Sequence, residues 1–231
     1  MRIVILTGAG VSAESGVATF RDANGLWEEH DVTDVATPEG FARDPALVQR
    51  FYDARRARLV AVAPNAAHVA LARLQRALPG AVTLVTQNVD DLHERAGGEV
   101  VHMHGELLRA RCTARGNAMA WTGPLTGAAC PECGATLRPD IVWFGEMPMR
   151  TDEIDAALAR CDLFAAIGTS GGVYPAAGYV EVARARGART VEINLEPSGN
   201  PGFDEVRTGL ATRAVPAWVD EVLASAGASP S

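Results

Sequence analysis

The chain has 231 residues, of which 28 are acidic and 21 basic, so its formal net charge is −7. Hydrophobic residues make up 48% and charged residues 21%, a mixture that is typical of a globular domain and excludes disorder as the dominant state. The acidic balance disfavours non-specific nucleic-acid binding, and no apolar run approaches the ~18 residues of a membrane span. The first apolar run breaks into glycines without a signal-peptide cleavage site, so we expect a cytoplasmic protein without a membrane partner.

Strand and helix signals alternate along the chain. Short β-branched runs predict strands at Ile3–Leu6, Val82–Thr86, Val100–His102, Leu163–Ile167 and Thr190–Asn194. Helical periodicity is found at Pro45–Val62, Ala66–Leu78, Asp152–Arg160, Ala176–Arg186 and Pro216–Ala224. The alternation predicts an α/β fold, in which a Rossmann-like parallel sheet carries helices on both faces and ligands bind at the loops along one edge.

Two stretches interrupt this alternation and predict a smaller domain. Residues 30–79 hold helices without a convincing strand and are interpreted as a helical insertion. Residues 106–139 are rich in Gly, Pro, Thr and Cys and are interpreted as a small loop-rich module. Residues 1–29, 80–105 and 140–231 are then expected to form the Rossmann-like domain.

A glycine-rich turn follows the first strand. Gly8, Gly10 and Ala13 match the G-x-G-x-x-A dinucleotide fingerprint, in which the first glycine permits the turn and the second lets the backbone approach pyrophosphate. A dehydrogenase would place a second strand and an acidic residue about 20 positions further on. Glu28 and Glu29 lie at that distance but follow no β run, so we expect an NAD site of a different construction.

Six short motifs follow one another along the chain. They are GAGVSAESGVATFR at 8–21, TQNVD at 86–90, HMHG at 102–105, VWFGE at 142–146, GTS at 168–170 and NLE at 194–196. With them the chain resembles the sirtuins, NAD-dependent protein lysine deacylases, over almost its whole length. The resemblance implies cleavage of the nicotinamide–ribose bond of NAD and transfer of the lysine acyl group to the ribose. The products would be nicotinamide and O-acyl-ADP-ribose.

The resemblance also implies catalytic residues. His104 corresponds to the general base, a role that suits the neutral-range pKa of imidazole. His102 would face the same side of a strand, so spacing alone does not choose, and the family pattern selects the histidine directly before Gly105. Asn88 would lie beside the reacting ribose and Asp90 would bind the nicotinamide carboxamide. Asp90 and its neighbour would also suit a helix cap. His30, His68 and His93, outside these motifs, are expected to be surface or helix residues.

Contacts to NAD are implied for the glycine turn and for the loops after the strands. They fall on Gly8, Ala9, Gly10, Ser12, Ala13, Glu14, Thr19, Phe20, Arg21, Trp27, Gln87, Asn88, Val89, Asp90, Gly168, Thr169, Ser170, Asn194, Leu195, Glu196 and Ala211. Phe20 and Arg21 would cover the reacting carbon, and Ala211 would lie on the adenine side. Ala18 stands where the family usually has Pro, which removes no chemical group.

The expected substrates are acylated-lysine proteins or peptides. In class III sirtuins a Tyr-x-x-Arg pair binds the distal carboxylate of succinyl, malonyl or glutaryl groups, and Tyr52 and Arg55 match it at helical i, i+3 spacing. The alternative is that residues 55–58 form a solvated basic face. The implied substrate contacts are Ala36, Tyr52, Arg55, Val142, Phe144, Gly145 and Val173.

Three cysteines in the loop-rich module suggest a metal site. Cys130 and Cys133 form a zinc-type pair, and Cys112 begins a second pair whose partner is replaced by Arg115. Cys161 is expected to be a buried apolar residue. Structural zinc and a metal-free module held by packing both remain open.

Two other functions are compatible with parts of the sequence. An NAD-consuming ADP-ribosyltransferase would break the same bond with a different acceptor. A zinc-ribbon binding protein would use the cysteine module alone, although the acidic charge and the NAD motifs argue against it. A monomer is expected.

Overall fold

A six-stranded parallel sheet forms the centre of the larger part of the protein. The computed structural model describes residues 1–18, 26–27 and 30–227, with the backbone alone for residues 26 and 27. The strands are β1 (Ile3–Thr7), β2 (Leu26–Trp27), β3 (His30–Asp31), β4 (Val82–Thr86), β5 (Val101–His102), β6 (Gly105–Cys112), β7 (Ala118–Ala120), β8 (Leu137–Ile141), β9 (Leu163–Ile167), β10 (Arg189–Asn194) and β11 (Glu205–Thr208). The α-helices are α1 (Gly10–Ala13), α2 (Val32–Val35), α3 (Pro38–Arg43), α4 (Pro45–Ala61), α5 (Ala66–Ala77), α6 (Leu92–Arg95), α7 (Thr151–Leu158), α8 (Tyr179–Ala185) and α9 (Ala211–Ser225).

The order of the large sheet is β11-β10-β9-β1-β4-β5, and neighbouring strands are parallel. Strands β1 and β9 are buried along their whole length, which explains their continuous apolar sequences. The chain adds strands on one side of β1 and then returns to the other side. The loops after β1, β4 and β9 therefore meet at the topological switch point, where such sheets bind ligands.

Helices cover both faces of this sheet, which confirms the predicted α/β class. Helices α5 and α9 pack on one face through residues such as Leu71 and Trp218, while α7 and α8 pack on the other through Ile154 and Val180. Helix α5 thus shares its core with the sheet, although it lies inside the stretch 30–79 interpreted as an insertion. None of the described helices is long and apolar enough to cross a membrane.

The start of α9 was wrongly predicted. The helix begins at Ala211, five residues before Pro216, where the helical periodicity of the sequence starts. Leu210 provides no side-chain cap. Instead the carboxylate of Glu14 accepts hydrogen bonds from Thr212 N and Thr212 Oγ1 at 2.9 and 2.6 Å. A cap from so distant a residue leaves no local signal.

The smaller part of the protein combines helices α2–α4 with a three-stranded antiparallel sheet, β7-β6-β8. The expectation of a loop-rich module at 106–139 is therefore only partly correct. A bulge between Glu106 and Ala110 interrupts the alternation of β6, and arginines occupy two of its eight positions, so the strand pattern is weak in the sequence.

Candidate active site

Three glycines bring the loops after β1 and β9 into backbone contact. A Cβ on Gly8 would lie 2.7 Å from Gly168 O, and one on Gly10 would lie 2.8 Å from Gly168 Cα. Gly168 itself has a φ of 62°, and Gly10 N donates to its carbonyl at 2.8 Å. No side chain fits between these loops, so glycine at these positions is what allows the two backbones to approach each other closely. Helix α1, which follows, is a single turn.

The loop after β4 is held by hydrogen bonds to β1, to β4 itself and to the loops after β1 and β9. Gln87 donates from its backbone N to Thr7 O at 2.9 Å and from Nε2 to Thr169 Oγ1 at 2.9 Å. Asn88 donates from its backbone N to Thr86 Oγ1 at 3.0 Å and from Nδ2 to Ser12 Oγ at 3.2 Å. The loops after β1, β4 and β9 are thereby locked to one another at the switch point.

Asp90 is buried, and it directly precedes Asp91, the N-cap residue of the short helix α6. The Asp90 carboxylate accepts from Leu92 N at 3.2 Å and so caps the short helix α6. Burial raises the pKa of this carboxyl group, against the hydrogen bonds that it accepts from Leu92 and Ser12. The capping interpretation therefore holds for Asp90. A cap of this kind is compatible with the ligand-binding role that the resemblance implies.

His104 and His102 differ in their hydrogen bonding. His104 Nδ1 lies 3.1 Å from Gln87 O, and since a carbonyl only accepts, Nδ1 carries the hydrogen and the neutral ring keeps its lone pair on Nε2. Burial lowers the pKa of His104, although the bond to Gln87 acts in the opposite direction. The ring thus has the tautomer and the neutral charge that a general base needs.

His102 is bonded at both ring nitrogens. Nδ1 lies 3.0 Å from Asn88 O, and Nε2 lies 2.6 Å from a carboxylate oxygen of Glu94. Burial lowers the pKa of His102, but the Glu94 carboxylate and the Asn88 carbonyl outweigh it, so the net shift is upward. A ring that donates at both nitrogens cannot accept a proton, which separates the two histidines where the spacing did not.

The loop after β10 lies beside the same edge. Asn194 Nδ2 donates to Thr169 O at 2.8 Å and to a carboxylate oxygen of Glu192 at 3.3 Å, while its Oδ1 accepts from Leu195 N at 3.0 Å. Leu195 and Glu196 are exposed. Ala211 is the first residue of α9, whose second residue is held by Glu14. The residues assigned to the adenosine side thus lie at the carboxyl ends of neighbouring strands.

The segment after β8 connects the two parts of the protein. Val142 N donates to His104 O at 2.9 Å, and Phe144 N donates to Ala36 O at 3.0 Å. Phe144 is 47% exposed and Gly145 follows it with a φ of 90°. Val173, another of the implied substrate contacts, lies in the loop after β9, where its carbonyl accepts from the backbone N of residue 177 at 2.8 Å.

Tyr52 and Arg55 are both buried on one side of α4. The Tyr52 hydroxyl accepts from Trp143 Nε1 at 3.0 Å, and burial raises the pKa of Tyr52 to about 12. The Arg55 guanidinium carbon lies 5.8 Å from the centroid of the Phe51 ring. A buried phenol and a buried guanidinium on adjacent turns are suited to recognise a carboxylate.

The alternative of a solvated basic face is wrong for two of its three arginines. Arg55 and Arg56 are buried, and only Arg58 is exposed. Arg56 donates to backbone carbonyls of the cysteine module, among them those of Leu107, Trp121 and Gly123. This side chain therefore ties α4 to β6 and to the segment after β7.

The three predicted metal ligands lie together. The Sγ atoms of Cys112, Cys130 and Cys133 are all within 4.8 Å of one another, with 3.5 Å between those of Cys112 and Cys133. Thiolates around a tetrahedral zinc ion would be separated by about 3.8 Å, so the cluster could bind zinc. Arg115, at the position of the absent cysteine, forms an ion pair with Glu132 at 2.7 Å. Cys161 is buried in the apolar core under the large sheet, as expected.

Thr19, Phe20 and Arg21 lie outside the described residues, and so does the side chain of Trp27. Ala9, Ser12 and Ala13 lie in the turn and helix after β1, and Ser170 follows Thr169 after β9. Val89 accepts from Leu107 N at 2.7 Å.

Sequence reasoning missed a buried polar layer under these loops. His68 and His93 were expected at the surface or on helices; both are on helices but are buried, with ring centroids 4.8 Å apart. His68 follows the N-cap Asn65 by three residues, and this capping-box spacing is the one available signal. His93 Nε2 lies 3.0 Å from Thr7 Oγ1, a contact without any local pattern.

Loops that meet at the switch point of a parallel sheet, a close contact between glycines and a neutral histidine bonded to Gln87 are the arrangement expected of a nucleotide-dependent enzyme of the Rossmann type. Residues 8–175 match the Sir2 family. The chain is 58% identical over 231 residues to the NAD-dependent protein deacylase SIR2rp3 of Leishmania major, covering 96% of this chain and 95% of that protein. It is also 58% identical over 230 residues to the NAD-dependent protein deacylase of Escherichia coli (strain K12), covering 96% and 82%.

Solved structures agree with these relatives. A crystal structure of a Sir2 homolog–NAD complex is 40% identical, with a TM-score of 0.89 over 97% of this chain and 90% of the other. The chain belongs to the Sir2 family. It is an NAD-dependent protein deacylase, which confirms the enzyme class and the use of NAD.

Proposed function

We propose that this deacylase removes succinyl and malonyl groups from protein lysines, acts also on acetyl groups, and releases nicotinamide and O-acyl-ADP-ribose. The buried pair Tyr52 and Arg55 on α4 is the observation that carries the acyl preference. Acidic acyl groups end in a carboxylate, for which a buried guanidinium is the preferred partner. An acetyl group is smaller and would enter the same space.

NAD would lie across the switch point. The diphosphate would lie against the loops joined by Gly8, Gly10 and Gly168, and Asn194, at the end of β10, would lie toward the adenosine ribose. Asn88, on the loop after β4, would stand beside the reacting ribose. Support comes from the convergence of these loops and from the 40% identical structure with NAD bound.

The reaction would start when the amide oxygen of the acyl-lysine attacks C1′ of the ribose and nicotinamide leaves. His104 Nε2 would then accept the proton of a ribose hydroxyl, whose oxygen attacks the carbon of the resulting imidate. The hydrogen bond from His104 Nδ1 to Gln87 O supports this assignment because it reserves Nε2 for the proton. The lowered pKa of His104 keeps the ring neutral at physiological pH.

The peptide around the lysine would pair with the extended segment 142–146. Backbone pairing of this kind constrains the substrate sequence only weakly, so many acylated proteins would be accepted. The exposed Phe144 and the hydrogen bond from Val142 to His104 O support this placement, since they put the segment beside the proposed base. We propose a cytoplasmic location, which is supported by the grouping of the thiols at 112, 130 and 133 as a possible metal site, since such a grouping is more typical of a reducing compartment.

Mass spectrometry of reactions with acetyl-, malonyl- and succinyl-lysine versions of one peptide tests the proposal. With NAD we expect free lysine, nicotinamide and acylated ADP-ribose from each, with the larger kcat/KM for the acidic acyl groups. A preference for acetyl-lysine would refute the assignment of Tyr52 and Arg55. ADP-ribosylated peptide in place of acylated ADP-ribose would favour transferase chemistry.

A further inference from the structure

A buried imidazole lies under Asn88 and has no part in the chemistry proposed above. His68, the third residue of α5, is 0% exposed. Its Nδ1 is 3.2 Å from Asn65 N, and its Nε2 is 3.3 Å from Ser12 Oγ. Ser12 in turn contacts Asn88, so the ring is separated from the amide of Asn88 by a single hydroxyl group.

The hydrogen on this ring can be assigned. A backbone N–H can only donate, so the bond from Asn65 N makes Nδ1 an acceptor. Burial lowers the pKa of His68 to about 4, which keeps the ring neutral near pH 7. The single ring hydrogen is therefore on Nε2, and Nε2–H donates to Ser12 Oγ.

The direction of the Ser12 hydroxyl follows from this. Ser12 Oγ accepts from His68 Nε2 and also from Asn88 Nδ2, which uses both of its lone pairs. Its own hydrogen is then left for a third partner, and the Ser12 hydroxyl acts to lower the pKa of the buried Asp90 carboxyl group, against the effect of burial. The chain of donors runs from Asn65 N through His68 to Ser12, where Asn88 Nδ2 also donates.

We propose that His68 is a positioning residue for Asn88. By donating to Ser12 it makes that hydroxyl an acceptor for Asn88 Nδ2, and so it fixes which end of the amide points away from Ser12. The oxygen of Asn88 is then presented as an acceptor on the other side. Without the hydrogen on His68, Ser12 can rotate and donate to Asn88, and the amide loses its fixed orientation. The inference rests on the proposed placement of Asn88 beside the ribose.

His68 also has a structural role, which the test must separate. Together with Asn65 it forms the capping box of α5. His68→Asn keeps an acceptor near the position of Nδ1, and so keeps the cap, but it is too short to reach Ser12. His68→Gln places an amide nitrogen near the position of Nε2 and can donate to Ser12, but it gives up the acceptor for the cap.

Melting temperature and steady-state kinetics with an acetyl-lysine peptide are measured for both variants. We expect His68→Asn to melt within about 2 °C of the parent while its kcat at saturating NAD falls about tenfold, the value of one buried hydrogen bond. We expect His68→Gln to melt lower yet keep kcat within about threefold. The opposite ranking of kcat would mean that the ring serves only the helix, and would overturn the proposal.

Coupling and spectroscopy provide further tests. Ser12→Ala should lower kcat as much as His68→Asn, and the double variant should lose no more, because both changes break one chain of bonds. Losses that multiply would contradict the inference. Nitrogen-15 NMR of the imidazoles must show His68 as the Nε2–H tautomer; the Nδ1–H tautomer would overturn the proposal even if both variants failed to fold.

Asn88→Ala distinguishes this inference from the proposed function. If Asn88→Ala retains full turnover, the placement of Asn88 beside the ribose is wrong. If Asn88→Ala is inactive while His68→Asn turns over normally, the placement stands and only the role of His68 fails.

Discussion

Replacing Arg55 by methionine tests the acyl preference most directly. Arg55 is buried beside Tyr52, with its guanidinium carbon 5.8 Å from the centre of the Phe51 ring. Methionine has a similar length and retains contact with an aromatic ring, so the fold of α4 should persist. The change removes the positive charge and the planar set of donors that a succinyl carboxylate would meet.

The expected magnitude follows from that loss. A hydrogen bond to a charged group contributes about 1.5–3 kcal/mol, and a two-pronged guanidinium–carboxylate pair lies at the upper end of this range. We therefore expect kcat/KM for succinyl-lysine to fall by at least about 2 kcal/mol, or roughly thirtyfold. Acetyl-lysine has no carboxylate at this position, so its kcat/KM should change by less than about threefold.

Arg58→Met is the matched control, because Arg58 has the same charge on the same helix but is exposed. Both variants are assayed with succinyl- and acetyl-lysine forms of one peptide, and their melting temperatures are compared. Equal losses of kcat/KM on the two substrates, with an unchanged melting temperature, would refute Arg55 as the carboxylate receptor.

Three further predictions concern stability and metal content. Arg56→Met leaves several carbonyls of the cysteine module without their buried donor, so the free energy of unfolding in urea should fall by about 2–4 kcal/mol relative to Arg58→Met. An unchanged urea midpoint would contradict the proposed link between α4 and the cysteine module. Burial lowers the pKa of His68 to about 4 and that of His93 to about 3, so the folded protein holds both rings neutral. The free energy of unfolding should therefore be unaffected by the titration of these rings above pH ~6.5 and should decrease on acidification toward pH 4, by at most about 1.4 kcal/mol per pH unit for each ring. A flat stability profile between pH 7 and 5 would refute this. Metal analysis should find about one zinc per chain, lost in Cys130→Ser, whereas equal zinc in both proteins would exclude the cluster.

The central fold is readable in the sequence because buried parallel strands must be apolar along their whole length. Strands β1, β4 and β9 therefore have continuous β-branched or apolar runs. Strand β11 was missed because it is an edge strand with alternating exposure and charged residues. The start of α9 was missed because its cap comes from Glu14, at the other end of the chain.

The candidate site divides in the same way. Residues such as Asn88 and Asn194 follow strands directly, so their meeting at one edge can be deduced from the order of the elements. The buried polar residues behind them cannot be deduced from the sequence. His68 reaches Ser12 across 56 positions, and Arg56 reaches Trp121 across 65, so neither contact leaves a local pattern. A run of arginines is typical of an exposed surface, and only the acceptors of Arg56 explain why it is buried.

The acyl end and the nucleotide end of the proposed site are built by separate parts of the chain. Helix α4 supplies Tyr52 and Arg55, whereas the loops of the large sheet surround Asn88 and His104. The two ends meet through backbone hydrogen bonds, from Val142 N to His104 O and from Phe144 N to Ala36 O. Helix α4 contacts the same segment through a side chain, because the Tyr52 hydroxyl accepts from Trp143 Nε1 at 3.0 Å. Arg55 is not part of this bond, so we expect a change of Arg55 to alter the acyl preference with less effect on the cleavage of NAD than a change of Tyr52.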